Sequence, residues 1–378
     1  MTTVHDIEQA LRGVVDPELG GDVVELGMIK GIDLAGGIAT INVALTIAGC
    51  PMRAQIDGDV KRKVGALEDV DTVVVEMGEM TQDERSEVMS KARFKAREEA
   101  EPTMVDPVTR VIAVSSGKGG VGKSSVSVNL ALALADRGFS VGLLDADIWG
   151  FSIPRMLGVG AERLEADEDG NIIPLQAYGL KLVSTGLLVD DEDKALMWRG
   201  LMLSKALQQF LTDVAWGQVD YLVVDMPPGT GDIQMALSRL LPQAEMVVVT
   251  TPQKTAQKVA SRVADMARRS FMPVIGVIEN MAGFTTPAGE HFKLFGEGGG
   301  KELAEDLGVP LIASIPLDPY VVEGGDDGSP VVRAHPTSPA AAAINAGAAR
   351  IVELVPPAED ETCTARIDRL LEGLKAKA

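Results

Sequence analysis

Between Arg110 and Pro356 the chain alternates short, unbroken apolar runs with longer stretches of helical period. The runs are VIAVSS (111–116), VGLLDAD (141–147), LKLVST (180–185), VDYLVVDM (219–226), MVVVTT (246–251), PVIGVIEN (273–280) and VPLIASIP (309–316). Apolar residues that are continuous rather than alternating mark strands covered on both faces, the condition of a parallel sheet with helices on each side. The pattern predicts an α/β domain over 110–356, built on a doubly wound, mostly parallel sheet.

Residues 1–80 follow a different rhythm. VHDIEQALRGVV (4–15) has a helical period and runs into the turn chemistry of DPELGG (16–21). In IATINVALTI (38–47), Ile41, Val43, Leu45 and Ile47 alternate with Thr40, Asn42, Ala44 and Thr46, the signature of a half-buried strand. A helical stretch (57–67) and a strand, DTVVVEM (71–77), complete a small α+β domain over 1–80. Residues 81–109 are heavily charged and nearly free of aromatics, which reads as either a solvated helix or a linker, and the domain boundary is placed there. In the tail, 357–378, Ile367, Leu370, Leu371 and Leu374 recur at helical spacing beside Arg366, Arg369, Lys375 and Lys377. Such an amphipathic segment either docks on its own domain or lies on a membrane surface. Asp368 and Glu372 dilute its basic face and favour docking.

Charge narrows the partners. Against 35 Lys and Arg stand 55 Asp and Glu, a formal net charge of -20. Sequence-independent nucleic-acid binding is supplied by clustered cations, so a nucleic-acid partner is not expected. Two cysteines in 378 residues, Cys50 and Cys363, imply no disulfide framework and fit a reduced cytoplasmic setting. MTTVHDIEQALRG (1–13) lacks a basic segment followed by an apolar one, and no uncharged apolar stretch approaches the ~18 residues that span a bilayer. A cytoplasmic protein without a membrane partner is expected.

GKGGVGKS (117–124) satisfies G-x-x-x-x-G-K-[ST], with a buried-strand pattern before it and a helical one after it. Glycines at this spacing let consecutive backbone N–H groups turn toward phosphate oxygens, and the helix that follows adds its dipole. Gly117, Lys118, Gly119, Gly120, Val121, Gly122, Lys123, Ser124 and Ser125 are therefore expected to bind ATP. Lys123 would reach the β- and γ-phosphates and Ser124 would stand on Mg²⁺. VDYLVVDMPPGTGD ends a strand on Asp225, where a carboxylate can hold Mg²⁺ through a water, with Gly229 to Gly231 as a mobile loop beyond it. VGLLDADIWG brings Asp145 and Asp147 to a strand's carboxyl end, the edge at which open α/β sheets bind ligands. Asp145 is assigned to the metal side and Asp147 to orienting the attacking water. Lys118 is one lysine more than an ordinary phosphate loop needs.

KGGVGKS, LLDAD and VVDMPPGTGD resemble the deviant Walker A class of P-loop ATPases, which includes MinD, ParA, the nitrogenase iron protein and the Mrp/ApbC carriers. LLDADIWGFSIPRMLG, MWRGLMLSKALQQFLTDVAWGQVDYLVVDMPPGTGD, ENMAGF, FGEGGG and IPLDP resemble the Mrp/ApbC iron–sulfur cluster carriers more specifically. DPELGGDVVELGMIKGI and LTIAGCPM resemble the SufT-like iron–sulfur assembly domain fused ahead of many Mrp proteins, with Cys50 at its characteristic cysteine position.

The resemblance implies a homodimeric, Mg²⁺-dependent ATPase that carries iron–sulfur clusters from assembly proteins to apoprotein recipients. Lys118 would reach the partner subunit's nucleotide, and Lys118, Lys123 and Asp147 would serve hydrolysis. Asn280 either hydrogen-bonds adenine, as in related ATPases, or simply ends its strand. Members that carry a [4Fe-4S] cluster show C-x-x-C ahead of FGEGGG, whereas this chain has GFTTPAGEHFKLFGEGGG, with Thr286 and Ala288 or Gly289 in place of thiolates. A dimer's two Cys50 and two Cys363 fall in separate domains without ligand spacing. Cys50 therefore reads either as a transient ligand for iron–sulfur cargo or a partner thiol, or as a small buried residue at a strand end. His5, His291 and His335 follow no metal-ligand spacing. Trp198 to Gly200 read as a hinge or dimer contact, or as a core edge. The alternative function is a MinD/ParA-like positioning ATPase whose C-terminal helix binds membranes. A third, an iron-protein-like electron donor, needs the cysteine pairs that are missing.

Overall fold

The computed structural model describes residues 2–16, 19–46, 52–148, 150–188, 200–229, 231–286 and 288–358. It divides into two compact units, Met1–Ala100 and Glu101–Ala378.

The first unit opens with the helix Val4–Leu11, started by a capping box in which Thr3 Oγ1 accepts from Asp6 N and Asp6 Oδ2 accepts from Thr3 N at 2.8 Å. The strands Ile29–Ala35 and Ile38–Leu45 form an antiparallel hairpin, and Thr72–Glu79 adds in parallel to the hairpin's second strand. Ile41, Val43 and Leu45 are buried, as their alternation requires. The helix Arg53–Val64 buries Ile56, Val60 and Val64, a stripe at every fourth residue. The charged segment is a helix, Gln82–Glu99, with its own capping box between Thr81 and Glu84. Val88 and Ala92 are buried on one side of it, and Glu84 pairs with Lys30 at 2.9 Å.

Among the described residues, the second unit is built on an eight-stranded sheet. In spatial order the strands are Leu311–Ile315, Val274–Asn280, Glu245–Thr250, Arg110–Ser116, Tyr221–Asp225, Val141–Asp145, Leu180–Ser184 and Leu175–Ala177. Every pair is parallel except the last, a hairpin closed by Tyr178 and Gly179. All seven apolar runs are strands of this sheet. Two hydrophobic clusters cover its faces. One gathers Ile112, Leu132 and Leu143 under the helix Lys123–Ala135, the other Val111, Trp216 and Leu222 under Gly200–Thr212 and Lys254–Arg269. The fold is therefore the expected P-loop domain preceded by a small α+β domain.

Parallel pairing has a consequence for chemistry. Asp225 is in register with Asp145, and Asp145 with Ser184. Ser116, Thr250 and Asn280 end neighbouring strands at the same edge. Side chains far apart in sequence converge there, and the loop after Ser116 opens onto it.

Candidate active site

The strand Arg110–Ser116 lies inside the sheet and delivers the glycine loop to the start of the helix Lys123–Ala135. Two glycines are required by their surroundings. At Gly117 a Cβ would fall 2.4 Å from Ala260 N, so the loop can pass the helix Lys254–Arg269 only without a side chain. Gly122 has φ +79, and a Cβ there would fall 2.3 Å from Asn280 Nδ2. The first-turn N–H groups of a helix have no intrahelical acceptor, which suits this end to phosphate.

A cavity of about 260 Å³ lies over the loop, lined among others by Lys118, Gly120, Lys123, Ser124, Asp147 and Pro228. Behind it sits an ionic cluster. Lys123 Nζ donates to Asp225 Oδ2 at 2.7 Å, and Ser124 Oγ donates to the same oxygen at 2.6 Å. Lys123 is only 6% exposed and Asp225 fully buried, so the amine is desolvated but paired. Of the two aspartates in DAD, Asp147 is the one ion-paired with Lys123, at 3.8 Å. Asp145 is turned to its own surroundings. Its Oδ2 accepts from Ser184 Oγ at 3.1 Å and Ile153 N at 3.4 Å, and its Oδ1 accepts from Asp147 N at 3.2 Å.

Three carboxylates around one ammonium leave an excess of negative charge in a dry site. Burial, reinforced by Asp225, pushes the Asp145 carboxyl up to about 7, against the pull of Lys123. Asp147 is also raised by burial, with Lys123 opposing. Oxygen donors only, surplus negative charge and a hydroxyl already on the Asp225 carboxylate fit a hard divalent cation such as Mg²⁺. Ser124 and Asp225 are the residues that would hold it, with Asp145 behind them.

Lys118 Nζ donates to Gln253 Oε1 of its own chain at 3.0 Å. Asn280, 7% exposed, donates from Nδ2 to the Val121 carbonyl at 2.9 Å and so braces the phosphate loop. Gly229 N donates to Ser116 O at 2.8 Å, while Thr230 lies outside the described residues. Ser127, Ser184 and Gln253 also reach the site, although none of them is a motif position. Ser127 carried a signal, since it follows Lys123 by four residues on one helix. Ser184 and Gln253 become neighbours of the site only through strand register.

Where thiolates are absent, Phe284–Thr285 pairs with His291–Phe292 in a small hairpin. Thr286 closes it, its N donating to Glu290 O at 2.9 Å and its Oγ1 accepting from Glu290 N at 3.1 Å. Among the described residues no group of three or more His, Cys, Asp or Glu is placed to hold a metal, the aspartates around Lys123 included, so Mg²⁺ there would rest on Ser124, Asp225 and the nucleotide's own oxygens. Cys50, Cys363, Trp198, Arg199 and the tail from 359 lie outside the described residues. His291 Nδ1 lies 3.1 Å from Thr285 Oγ1, and the His335 ring stacks on Tyr320 with centroids 3.9 Å apart. A second cavity, of about 360 Å³ in the first unit and lined by Lys30, Asn42, Glu76, Glu79 and Glu84 among others, holds none of the phosphate-binding groups. No helix among the described residues is long and apolar enough to cross a membrane.

Fold and site together define an ATP-binding protein of the ParA/MinD-like P-loop ATPase class. Residues 107–352 match the family described as NUBPL iron-transfer P-loop NTPase, and residues 5–76 match the iron-sulfur cluster assembly protein family. The chain belongs to the Mrp/ApbC-type iron–sulfur cluster carrier ATPases, with an N-terminal iron–sulfur assembly domain. The iron-sulfur cluster carrier protein of Mycobacterium tuberculosis is 45% identical over 340 residues, 88% of each chain. That of Deinococcus radiodurans is 44% identical over 339 residues, 89% of this chain and 91% of the other. Among solved structures, a nucleotide-binding protein of Archaeoglobus fulgidus in complex with ADP is 35% identical, with a TM-score of 0.53 over 63% of this chain and 91% of that one.

Proposed function

We propose that the protein is a cytoplasmic, homodimeric Mg²⁺-ATPase whose nucleotide cycle governs the binding of iron–sulfur clusters and their transfer to apoproteins. The observation that carries this reading is the convergence of Lys123, Ser124 and Asp225 behind a phosphate loop, in a chain whose two units both match iron–sulfur families. Residues 117–125 bind the phosphates. Mg²⁺, when bound, neutralises charge on the β- and γ-phosphates and orients them.

Lys123 stabilises the γ-phosphate as charge develops, and Asp147, at the cavity wall beside Lys123, orients the attacking water. The water oxygen bonds to γ-phosphorus as the bond to the bridging oxygen breaks, the electron pair staying on ADP and the water's protons leaving with the phosphate. Lys118 serves the partner subunit's nucleotide, which couples hydrolysis to dimerisation. Asn280 braces the loop through Val121 and contacts adenine from the same strand end. Loss of the γ-phosphate releases the segments after Asp147 and Asp225 and shifts cargo affinity.

Cys50 is the thiol proposed to hold cargo transiently. Anaerobic reconstitution, with iron and sulfide assays and transfer to an apo-ferredoxin, tests the whole reading. Wild-type protein is expected to load a cluster and deliver it, with delivery altered by ATP. A chain that binds neither iron nor sulfide overturns the carrier role, and unchanged loading of Cys50→Ala removes that residue as a ligand.

A further inference from the structure

Asp225 is gripped on both oxygens by one helix. Its Oδ2 accepts from Lys123 Nζ and Ser124 Oγ, while its Oδ1 accepts from Ser127 Oγ at 2.6 Å. Lys123, Ser124 and Ser127 share a face of the helix Lys123–Ala135, because positions four apart lie one above the other. Ser127 is fully buried and its hydroxyl is engaged by Asp225 and the Lys123 carbonyl, so it acts on the site through Asp225.

The Ser127 hydroxyl has one proton and two acceptors within reach: Asp225 Oδ1 at 2.6 Å and the Lys123 carbonyl oxygen at 3.1 Å. A serine within a helix commonly satisfies itself on the carbonyl four residues back, which would be a local matter only. Here the carboxylate is the closer acceptor, and a hydrogen bond to an ionised oxygen is the stronger one. The proton therefore goes to Asp225. The terminal torsion of an aspartate is soft and roughly two-fold. With Oδ1 anchored, Oδ2 is held toward Ser124 and Lys123.

The geometry points to Ser127 as a positioning residue for Mg²⁺–nucleotide binding: it fixes the plane of the Asp225 carboxylate against Ser124 without touching the ligand. This rests on the proposed Mg²⁺ role of Ser124 and Asp225. Hydrogen-bond partners of a metal's direct ligands set its affinity, and their loss typically weakens it by about 10- to 100-fold; Asp225 reaches the ion through a water, so Ser127 acts one step further out and the low end of that range applies.

Equilibrium titration of N-methylanthraniloyl-ADP in EDTA and at rising Mg²⁺ tests the proposal without turnover. Ser127→Ala is expected to raise the half-saturating Mg²⁺ by about tenfold while leaving affinity in EDTA unchanged. Ser127→Thr, which keeps the hydroxyl, is expected to restore the wild-type curve. Ser127→Cys, of similar shape but a weak donor, is expected to share the alanine defect and gives the reading if the alanine protein does not fold. A wild-type Mg²⁺ curve for Ser127→Ala overturns the proposal, as does an equal loss of affinity with and without Mg²⁺, which marks a packing role. Wild-type protein whose nucleotide binding ignores Mg²⁺ overturns the reading of Ser124 and Asp225 itself.

Discussion

Lys118 Nζ donates a hydrogen bond to Gln253 Oε1 of its own chain at 3.0 Å. Gln253 stands at the start of the helix Lys254–Arg269, just past the strand that neighbours the phosphate loop. The lysine proposed to serve a partner subunit's nucleotide is thus held at home, and must leave Gln253 to do so. A hydrogen bond from a charged donor is worth about 1.5 kcal/mol net or more, roughly tenfold in an equilibrium. Gln253→Ala is therefore expected to lower the protein concentration giving half-maximal ATPase by about tenfold. Lys118→Ala should remove the concentration dependence along with most of the rate. ATPase rate against protein concentration checks both, and a Gln253→Ala curve superimposed on wild type would show that the contact restrains nothing.

Gly122 makes a sharper demand. Its φ of +79 is costly for any residue with a Cβ, and that Cβ would sit 2.3 Å from Asn280 Nδ2. Left-handed backbone alone costs about 1–2 kcal/mol in an L residue, and displacing Asn280 frees the Val121 carbonyl it holds. Gly122→Ala should fold but lose at least tenfold in ATP affinity, given ~1.4 kcal/mol per decade. Adding Asn280→Ala should not rescue it, because the backbone strain remains. Isothermal titration with a non-hydrolysable ATP analogue distinguishes these outcomes.

What could be read from sequence divides along physical lines. The seven apolar runs were legible because strands covered on both faces admit little but Val, Ile, Leu and Ala. The edge strand Leu175–Ala177 was not. It has three residues, only Ala177 buried, and a hairpin loop whose Tyr178 takes φ 52, where Asn or Gly would have been the signal. Lys123, Ser124, Asp225 and Asp147 announce themselves by motif, and they meet in space. Ser184 and Gln253 could not be found that way, because a polar residue at a strand end becomes part of a site only once the order of strands is known. The charged segment after Met80 shows a third limit: its apolar positions are so few that Val88 and Ala92 do not stand out as a stripe.

That stripe carries a prediction. Val88 is 2% exposed on a helix whose Glu87 and Lys91 face solvent as an ion pair at 2.9 Å. Val88→Ala removes about two methylene equivalents at ~0.8 kcal/mol each and leaves a small void, for a cost of about 2 kcal/mol. Glu87→Ala should leave the urea midpoint close to that of wild type, since exposed ion pairs contribute little. Urea unfolding of the full chain, followed by hydrogen exchange in residues 1–100, checks the contrast. Equal effects at the two positions would mean the helix is held by its charges rather than by its buried face.

The buried carboxylates make stability depend on pH in a direction opposite to the usual one for acids. Burial and Asp225 raise Asp145 from 3.8 to about 7 in the folded protein. At pH values between these, the folded state keeps a proton that the unfolded chain has released, so stability falls as pH rises through that window. Asp147, also raised by burial, adds to the same slope. Nucleotide-free protein in EDTA should therefore lose melting temperature between about pH 4 and pH 7 at this site. Asp145→Asn should flatten the dependence, because an amide keeps much of the hydrogen bonding to Ser184 without a charge to bury. Saturating Mg²⁺–ADP should flatten it as well, since a divalent cation offsets the crowding of negative charge that raises the carboxyl. Melting curves at half-unit pH intervals decide the matter: an Asp145→Asn slope equal to that of wild type would place the titrating group elsewhere.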